Sequence, residues 1–378
     1  MGKNECDVLV VGGGPAGLTT AIALRQRGAD VLLADALTPP IDKACGEGIM
    51  PDSRSDLARL GIELPESRGA EFRGIRFCDS RSSVSAVFPS TRGLGLRRTV
   101  LHQLLADHAA DAGVRFAWKT SVKAVPGQPI TLNGEPVRYK ILVGADGQSS
   151  RIRTWAGLDQ GSLLSRRFGF RVHYRIAPWT SSVEVHWAPT GQAYVTPISE
   201  NEICVAMVSR SLSGARSRDL IESIPELRNR LRGAEIITRE RGAITTTLRL
   251  RRVVRGNVAL VGDASGSADA ITGEGLAMGF RQAILLADAL HLSMGNEGLS
   301  LYQRGHASIM RQPQAMARIL LLMDRWPLLR DRVLCTFASD PAVFQTLLNV
   351  HIGEKPLRQF LLRQAPTLGL RLLLPSLA

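Results

Sequence analysis

The chain has 378 residues and a formal charge of +13 at pH 7, with 44% apolar and only 5% aromatic residues. That composition excludes a disordered, low-complexity or solenoid chain, and no uninterrupted apolar run approaches the ~20 residues needed to span a bilayer. The positive charge suits an anionic membrane surface or an acidic cofactor; with so few aromatics to interleave a basic stripe, no specific nucleic-acid binding is expected.

Met1-Gly2-Lys3 leads directly into a buried-strand pattern, Cys6 to Val11, with no signal-peptide cleavage region. A glycine turn follows, then a helix from about Ala16 to Arg27 that Gly28 stops, then a second apolar strand from Ala29 to Asp35. These elements make one βαβ unit and predict a parallel sheet. Between Thr38 and Pro51 lies a glycine-rich polar loop containing Lys43-Ala44-Cys45-Gly46-Glu47-Gly48. A short helix is expected near Asp52 to Leu60, then antiparallel strands around Glu71 to Phe77 and Ser83 to Phe88. Arg97 to Ala112 carries apolar residues at helical spacing, and Val137 to Val143 reads as another buried strand, ending in Gly144-Ala145-Asp146-Gly147. Short alternating strands dominate Arg166 to Val208. Asn257 to Val261 is a strand, Leu276 to Leu290 a helix, and everything beyond about Gly298 reads helical.

The pattern predicts an α/β fold in which a Rossmann-type nucleotide-binding domain is assembled from residues 1–70, 97–157 and 253–297. Residues 71–96 and 158–252 form an inserted antiparallel-sheet substrate domain, and 298–378 a helical C-terminal region. The five cysteines, Cys6, Cys45, Cys78, Cys204 and Cys335, show no CxxC pair and no metal-ligand spacing with histidines, so no metal and a reducing, cytoplasmic setting are expected. The leucine-rich tail from Pro356 to Ala378 has two readings: packing onto the protein's own surface, or a peripheral membrane contact or cover for a lipophilic pocket.

Gly12-Gly13-Gly14-Pro15-Ala16-Gly17 gains meaning from its context, because it follows a strand, opens a helix, and precedes Asp35 near the ~20-residue offset of a ribose-binding acid. Gly12 permits the tight turn, Gly14 lets a pyrophosphate approach the backbone, and Gly17 lets the helix pack closely on the strand. The N-terminus of the helix, entered through Pro15 and Ala16, attracts phosphate through its dipole.

Taken with Gly144-Ala145-Asp146-Gly147-Gln148-Ser149-Ser150-Arg151-Ile152-Arg153 and Gly262-Asp263-Ala264, that turn makes the chain resemble the FAD-dependent group A flavoprotein monooxygenase and geranylgeranyl reductase superfamily. The resemblance implies a glutathione-reductase-like FAD fold, the ADP moiety at the first motif, FAD and NAD(P)H contacts around Asp146, and ribityl and pyrophosphate contacts around Gly262 and Asp263. Asp146 also has a plain reading as a cap of the next helix, shared with Ser149 or Ser150. Arg98 resembles an arginine that reaches FAD in relatives; it reads equally as a solvated arginine at a helix start. The Thr272-Gly273-Glu274-Gly275 loop resembles the reductase and halogenase branches, where glycine amides lie by the flavin pyrimidine, which implicates Gly273 and Gly275. A two-tryptophan halogenase signature is missing, which disfavours halogenation.

Cys45-Gly46-Glu47-Gly48 is similar to stretches in geranylgeranyl reductase-like flavoproteins, which implies a loop beside the isoalloxazine. Cys45 is then a substrate-proximal thiol or proton donor, or else a small packing residue; Glu47 is an acid, or else a cap for backbone amides. His186, Tyr194 and Pro197 are candidates to line the substrate pocket, with His186 and Trp187 pointing to opposite faces of their strand, whereas His173 reads as structural. The expected function is NAD(P)H-driven, FAD-dependent monooxygenation of a lipophilic or aromatic biosynthetic substrate. The alternatives are reduction of an isoprenoid or other double bond, and a non-enzymatic FAD-binding redox sensor. With one dinucleotide fingerprint in the chain, NAD(P)H visits without a domain of its own or a separate reductase supplies electrons.

Overall fold

The computed structural model describes residues 5–79, 82–125, 127–210 and 217–363. Its nucleotide half is built on a six-stranded sheet in which Glu5–Val11 lies at the centre, between Arg138–Gly144 and Val31–Ala34. Val10 pairs in parallel with both Leu33 and Val143, and Arg115–Ala117 and Val258–Leu260 extend the two sides in parallel. Val8, Leu9 and Val10, at 0% exposure, share one core with the helices Pro15–Gln26, Arg98–Asp111 and Gly275–Leu292 and with Val122 and Leu132 of a small three-stranded sheet, and burial on both faces is why these strands are continuous apolar runs rather than alternating ones. The helix Pro15–Gln26 packs tightly on Gly275–Leu292, and a Cβ added at Gly279 would lie 3.2 Å from that of Ala16. The α/β class with a parallel sheet and a helical C-terminal region is what the sequence predicts.

The second sheet has eight strands, and two of its features depart from expectation. Gly74–Cys78 and Val183–Ala188 pair in parallel, not antiparallel, because between them the chain crosses to the first sheet and returns in the same direction. Gly161–Arg175 is one 15-residue strand that begins before the expected Arg166. Residues 161–171 pair with Arg241–Leu250, with a bulge between Leu163 and Ser165, and residues 168–175 pair with Glu202–Ser209 on the other side. Exposure of Ser162 to Leu164 conceals the strand's first part from a burial pattern.

Asn296–Arg325, Pro327–Ser339 and Pro341–His351 then cover the outer strands of this sheet. Phe77, Trp187, Phe337, Phe344, Met316 and Met323 share one apolar core there. Leu357–Arg363 continues the helical region; residues 364–378, and with them most of the tail read as a membrane contact or pocket cover, lie outside the described residues. Among the described residues no helix is long and apolar enough to cross a membrane.

A buried ionic knot fastens the second sheet to these helices. Arg167, 2% exposed, donates to Asp269 Oδ1 at 3.2 Å, Gln192 Oε1 at 2.8 Å and Asp324 Oδ2 at 3.2 Å. Ser165 and Thr247 donate to the other oxygen of Asp269. Removing the guanidinium leaves buried Asp269 without its cation, while Asp324 keeps Arg210 at 3.5 Å and Gln192, so Arg167→Met is expected to lower stability by about 3–5 kcal/mol. Urea denaturation measures it, and a loss below 1 kcal/mol contradicts the assigned role.

Candidate functional site

The glycine turn is held from outside itself. Gly13 N donates to Asp35 Oδ2 at 2.6 Å, Leu37 N donates to Asp35 Oδ1 at 2.8 Å, and Gly13 O accepts from His102 Nε2 at 2.8 Å. His102 is fully buried and its desolvation lowers the ring's pKa, so it stays neutral and donates through Nε2. Its sequence context gave no hint of this work, since the ring reaches back 89 residues. At Gly12, with φ +112°, a Cβ would fall 2.4 Å from the carbonyl of Ala145; at Gly17 it would fall 1.9 Å from that of Gly12. A Cβ at Gly14 meets nothing within 4 Å, because that position faces open space.

The loop from Lys43 to Gly48 is fixed through Glu47, a non-glycine residue at φ +58° and 2% exposure. Such a backbone costs about 1–3 kcal/mol and persists only where its surroundings over-determine it. Here they do: Glu47 Oε1 accepts from the backbone N–H of Arg98 at 3.0 Å, and Oε2 contacts His173 Nε2 at 2.6 Å. Arg171 stands 3.8 Å from Oε1 and also binds Asp42. Glu47 therefore caps the Arg98–Asp111 helix and holds the second sheet. Cys45 keeps a free thiol facing the cavity, with Sγ 3.4 Å from Glu47 N, and Thr196 Oγ1 holds Gly46 O at 2.8 Å.

Asp146 directs its carboxylate at the start of the next helix, accepting from Arg151 N at 2.7 Å, Ile152 N at 3.2 Å and the Ser150 hydroxyl. Asp263 meets Lys43 Nζ at 3.4 Å. Behind it, Gly262 N donates to Gln282 Oε1 at 2.7 Å, and Ser265 Oγ lies 2.9 Å from His306 Nε2. Desolvation drives the His306 pKa down to about 4. Gly273, at φ +70°, and Gly275 open the Gly275–Leu292 helix, and an added Cβ at either would face open space.

These pieces line one cavity of about 850 Å³. Gly12, Gly14, Pro15, Ala16, Asp35, Cys45, Gly46, Arg98, Asp146, Gly262, Asp263, Gly273 and Gly275 all border it; Gly17 lies behind the turn. The residues fit a bound FAD. Arg98, 8% exposed, has an Nε atom without a partner, and glycines 14, 46, 147, 273 and 275 leave a cradle with no Cβ to fill it. Lys119 to Ser121, beside Asp35, complete the cradle and carry no sequence signal.

The far end of the cavity is apolar, bounded by Phe77, Val183, Val185, Met316, Phe344 and Leu348. Tyr194 lines it and donates to Ile271 O at 2.9 Å, and burial raises its phenol pKa well above the usual range. His186 and Pro197 do not line it. On Val183–Ala188 the odd residues face the cavity, so His186 points the other way and meets Glu184 Oε2 at 2.9 Å. Trp187 is on the cavity side of its strand but is taken up by Phe77 and Arg330. Pro197 is out of phase with Tyr194 and Thr196, and its carbonyl packs against Gly95.

The model of a family described as FAD binding domain matches residues 5–312. Among curated relatives, the chain is 27% identical over 361 residues to a menaquinone reductase of Mycolicibacterium smegmatis, covering 86% of each protein. It is 26% identical over 325 residues to a digeranylgeranylglycerophospholipid reductase of Methanosarcina acetivorans, covering 79% of this chain and 78% of that one. Among solved structures, a geranylgeranyl bacteriochlorophyll reductase-like protein from Thermoplasma acidophilum superposes with a TM-score of 0.73 at 21% identity, covering 87% of this chain and 91% of the other.

The two glycines give opposite expectations. Gly14→Val leaves the fold near wild-type thermal stability but lowers FAD affinity at least about tenfold, because its side chain enters the cradle. Gly17→Val drives a side chain into the Gly12 carbonyl and destabilises the protein itself. Thermal melts and flavin titration read both; equal FAD affinity for Gly14→Val and wild type contradicts the cradle. His306 makes a separate prediction. Its folded pKa lies below the unfolded value of 6.5, so the unfolded chain binds the extra proton and stability falls as pH drops from 6.5 to about 4. The loss is on the order of 2–3 kcal/mol. Denaturation midpoints across that range are expected to flatten in His306→Gln.

Proposed function

The chain belongs to the FAD binding domain family, and we propose that it is an FAD-dependent oxidoreductase that reduces a carbon–carbon double bond in a lipophilic, isoprenoid-type substrate. One observation carries this reading: the cavity that holds the cofactor cradle runs without a break into an apolar chamber closed by the C-terminal helices. The relatives described as reductases of menaquinone and of digeranylgeranylglycerophospholipid support it, as do the Cys45–Gly48 and Thr272–Gly275 loops.

Bound FAD would supply two-electron chemistry, charged by NAD(P)H or a separate reductase. The protein's part is placement. Amides at the start of the Pro15–Gln26 helix and the Arg98 guanidinium would hold the cofactor's phosphates, and the Asp35 carboxylate keeps the glycine turn in shape. The amides around Gly273 and Gly275 would stabilise negative charge on the cofactor. Cys45 presents its thiol to the cavity, while Glu47 positions both Cys45 and Arg98. The chamber excludes water, so a long apolar chain gains about 25 cal/mol per Å² buried.

Anaerobic reduction with NADPH, followed by addition of a polyprenyl quinone or a geranylgeranyl lipid, tests this. Reoxidation of the flavin with a mass gain of two hydrogens in the lipid is expected. Turnover that requires oxygen and yields a hydroxylated or epoxidised product establishes the monooxygenase expectation instead and overturns this reading.

A further inference from the structure

The chamber needs an acid as well as a hydride source, and most polar groups along the cavity are already committed. Asp269 accepts from Arg167, Ser165 and Thr247; Tyr194 donates its O–H to the Ile271 carbonyl; Glu47 is bound on both oxygens; the free Cys45 thiol accepts from Glu47 N on the loop that Glu47 holds. His351 is different. It ends the Pro341–His351 helix and lines the cavity beside Leu347 and Leu348 of the same helix and Gly273 and Gly275 of the cofactor loop. Its Nδ1 stands 3.6 Å from Glu274 Oε2, and among the described residues its Nε2 has no hydrogen-bond partner.

Glu274 sits between the two cavity-lining glycines yet does not itself line the cavity. It is 4% exposed, and no hydrogen bond satisfies Oε2. Burial pushes its carboxyl pKa up, countered by His351 and Arg281 and reinforced by Asp52. Arg281 is itself tied to Asp52 and Asp56, so His351 is the nearest group left to take or give a proton with Glu274. A buried carboxyl with one unsatisfied oxygen, 3.6 Å behind a cavity-lining imidazole, is an arrangement that orients a proton donor.

We propose that His351 is the proton donor to the substrate in the apolar chamber and that Glu274 is its positioning partner. The inference rests on the reductive reading above. In the step, hydride from the reduced flavin forms a C–H bond at one alkene carbon and the His351 Nε2 proton forms the other. The π bond breaks, the flavin would give up the two electrons supplied earlier by NAD(P)H or an equivalent donor, and His351 regains a proton from solvent.

Three variants are compared with FAD loaded: His351→Gln, His351→Ala and Glu274→Gln. His351→Gln is expected to keep FAD content, flavin reduction by NADPH and binding of the polyprenyl probe, and to lose lipid saturation roughly 100-fold or more. Imidazole added to His351→Ala restores part of the rate. Glu274→Gln lowers kcat for lipid saturation by about tenfold or more while leaving the KM for the polyprenyl probe unchanged, and it moves the His351 ring resonances in NMR spectra of the substrate-free protein. A His351→Gln rate within threefold of wild type, or His351 ring resonances that coincide with and without the Glu274 carboxyl, overturns the proposal. The NMR arm needs no substrate, so a wild-type protein that saturates no lipid condemns the reductive reading while the Glu274–His351 coupling is still decided.

Discussion

A single buried carboxylate, Glu47, holds the two halves of the molecule in register. One oxygen receives the first amide of the Arg98–Asp111 helix, which belongs to the nucleotide half; the other meets His173, which belongs to the second sheet. Through those bonds the loop carrying Cys45 and Gly46 is pressed against the cavity in a left-handed backbone that an unsupported glutamate would abandon. Arg98 is aimed by the same contact, since its own amide is what Glu47 binds. The start of the Arg98–Asp111 helix, the Cys45 loop and the second sheet are thus joined through one side chain that itself borders the cavity.

The second constraint is closure of the chamber. The sheet alone would leave Phe77, Val183 and Val185 open on one face, and the C-terminal helices supply Met316, Phe344 and Leu348 to cover them. The Arg167 knot secures that cover by joining two strands, the loop before Gly273 and the Asn296–Arg325 helix. Burying a guanidinium with two carboxylates is costly, and its geometry is what makes it useful: it tolerates few alternatives, so the lid and the cofactor loop keep one relative position. The same helices bring His351 to the cofactor loop.

Much of the nucleotide half was legible residue by residue. Gly12, Gly14 and Gly17 have the three distinct environments that the motif's chemistry demands, and Asp35 stands beside the turn at its sequence offset. The plain reading of Asp146 as a helix cap is what its carboxylate does, with Ser150 at its side. The alternation rule separated His186 from Trp187, but it gave no sign of which face was which. His186 proved to be turned away and Pro197 out of phase, because phase against a cavity is set by what packs on the strand, not by the strand itself.

The sequence by itself determined the α/β class and the glycine-rich loops that border the large cavity. Those features follow from local rules: a left-handed turn needs glycine, a strand buried on both faces needs continuous apolar residues, and a helix start attracts anions. Only the tertiary structure decided that His102 grips the glycine turn from 89 residues away, that Glu47 serves as a strut, and that helices beyond residue 296 wall the chamber. These depend on contacts between segments far apart in the chain. No periodicity or spacing encodes such pairings, because they are fixed by how two sheets and a helical cover share one interior.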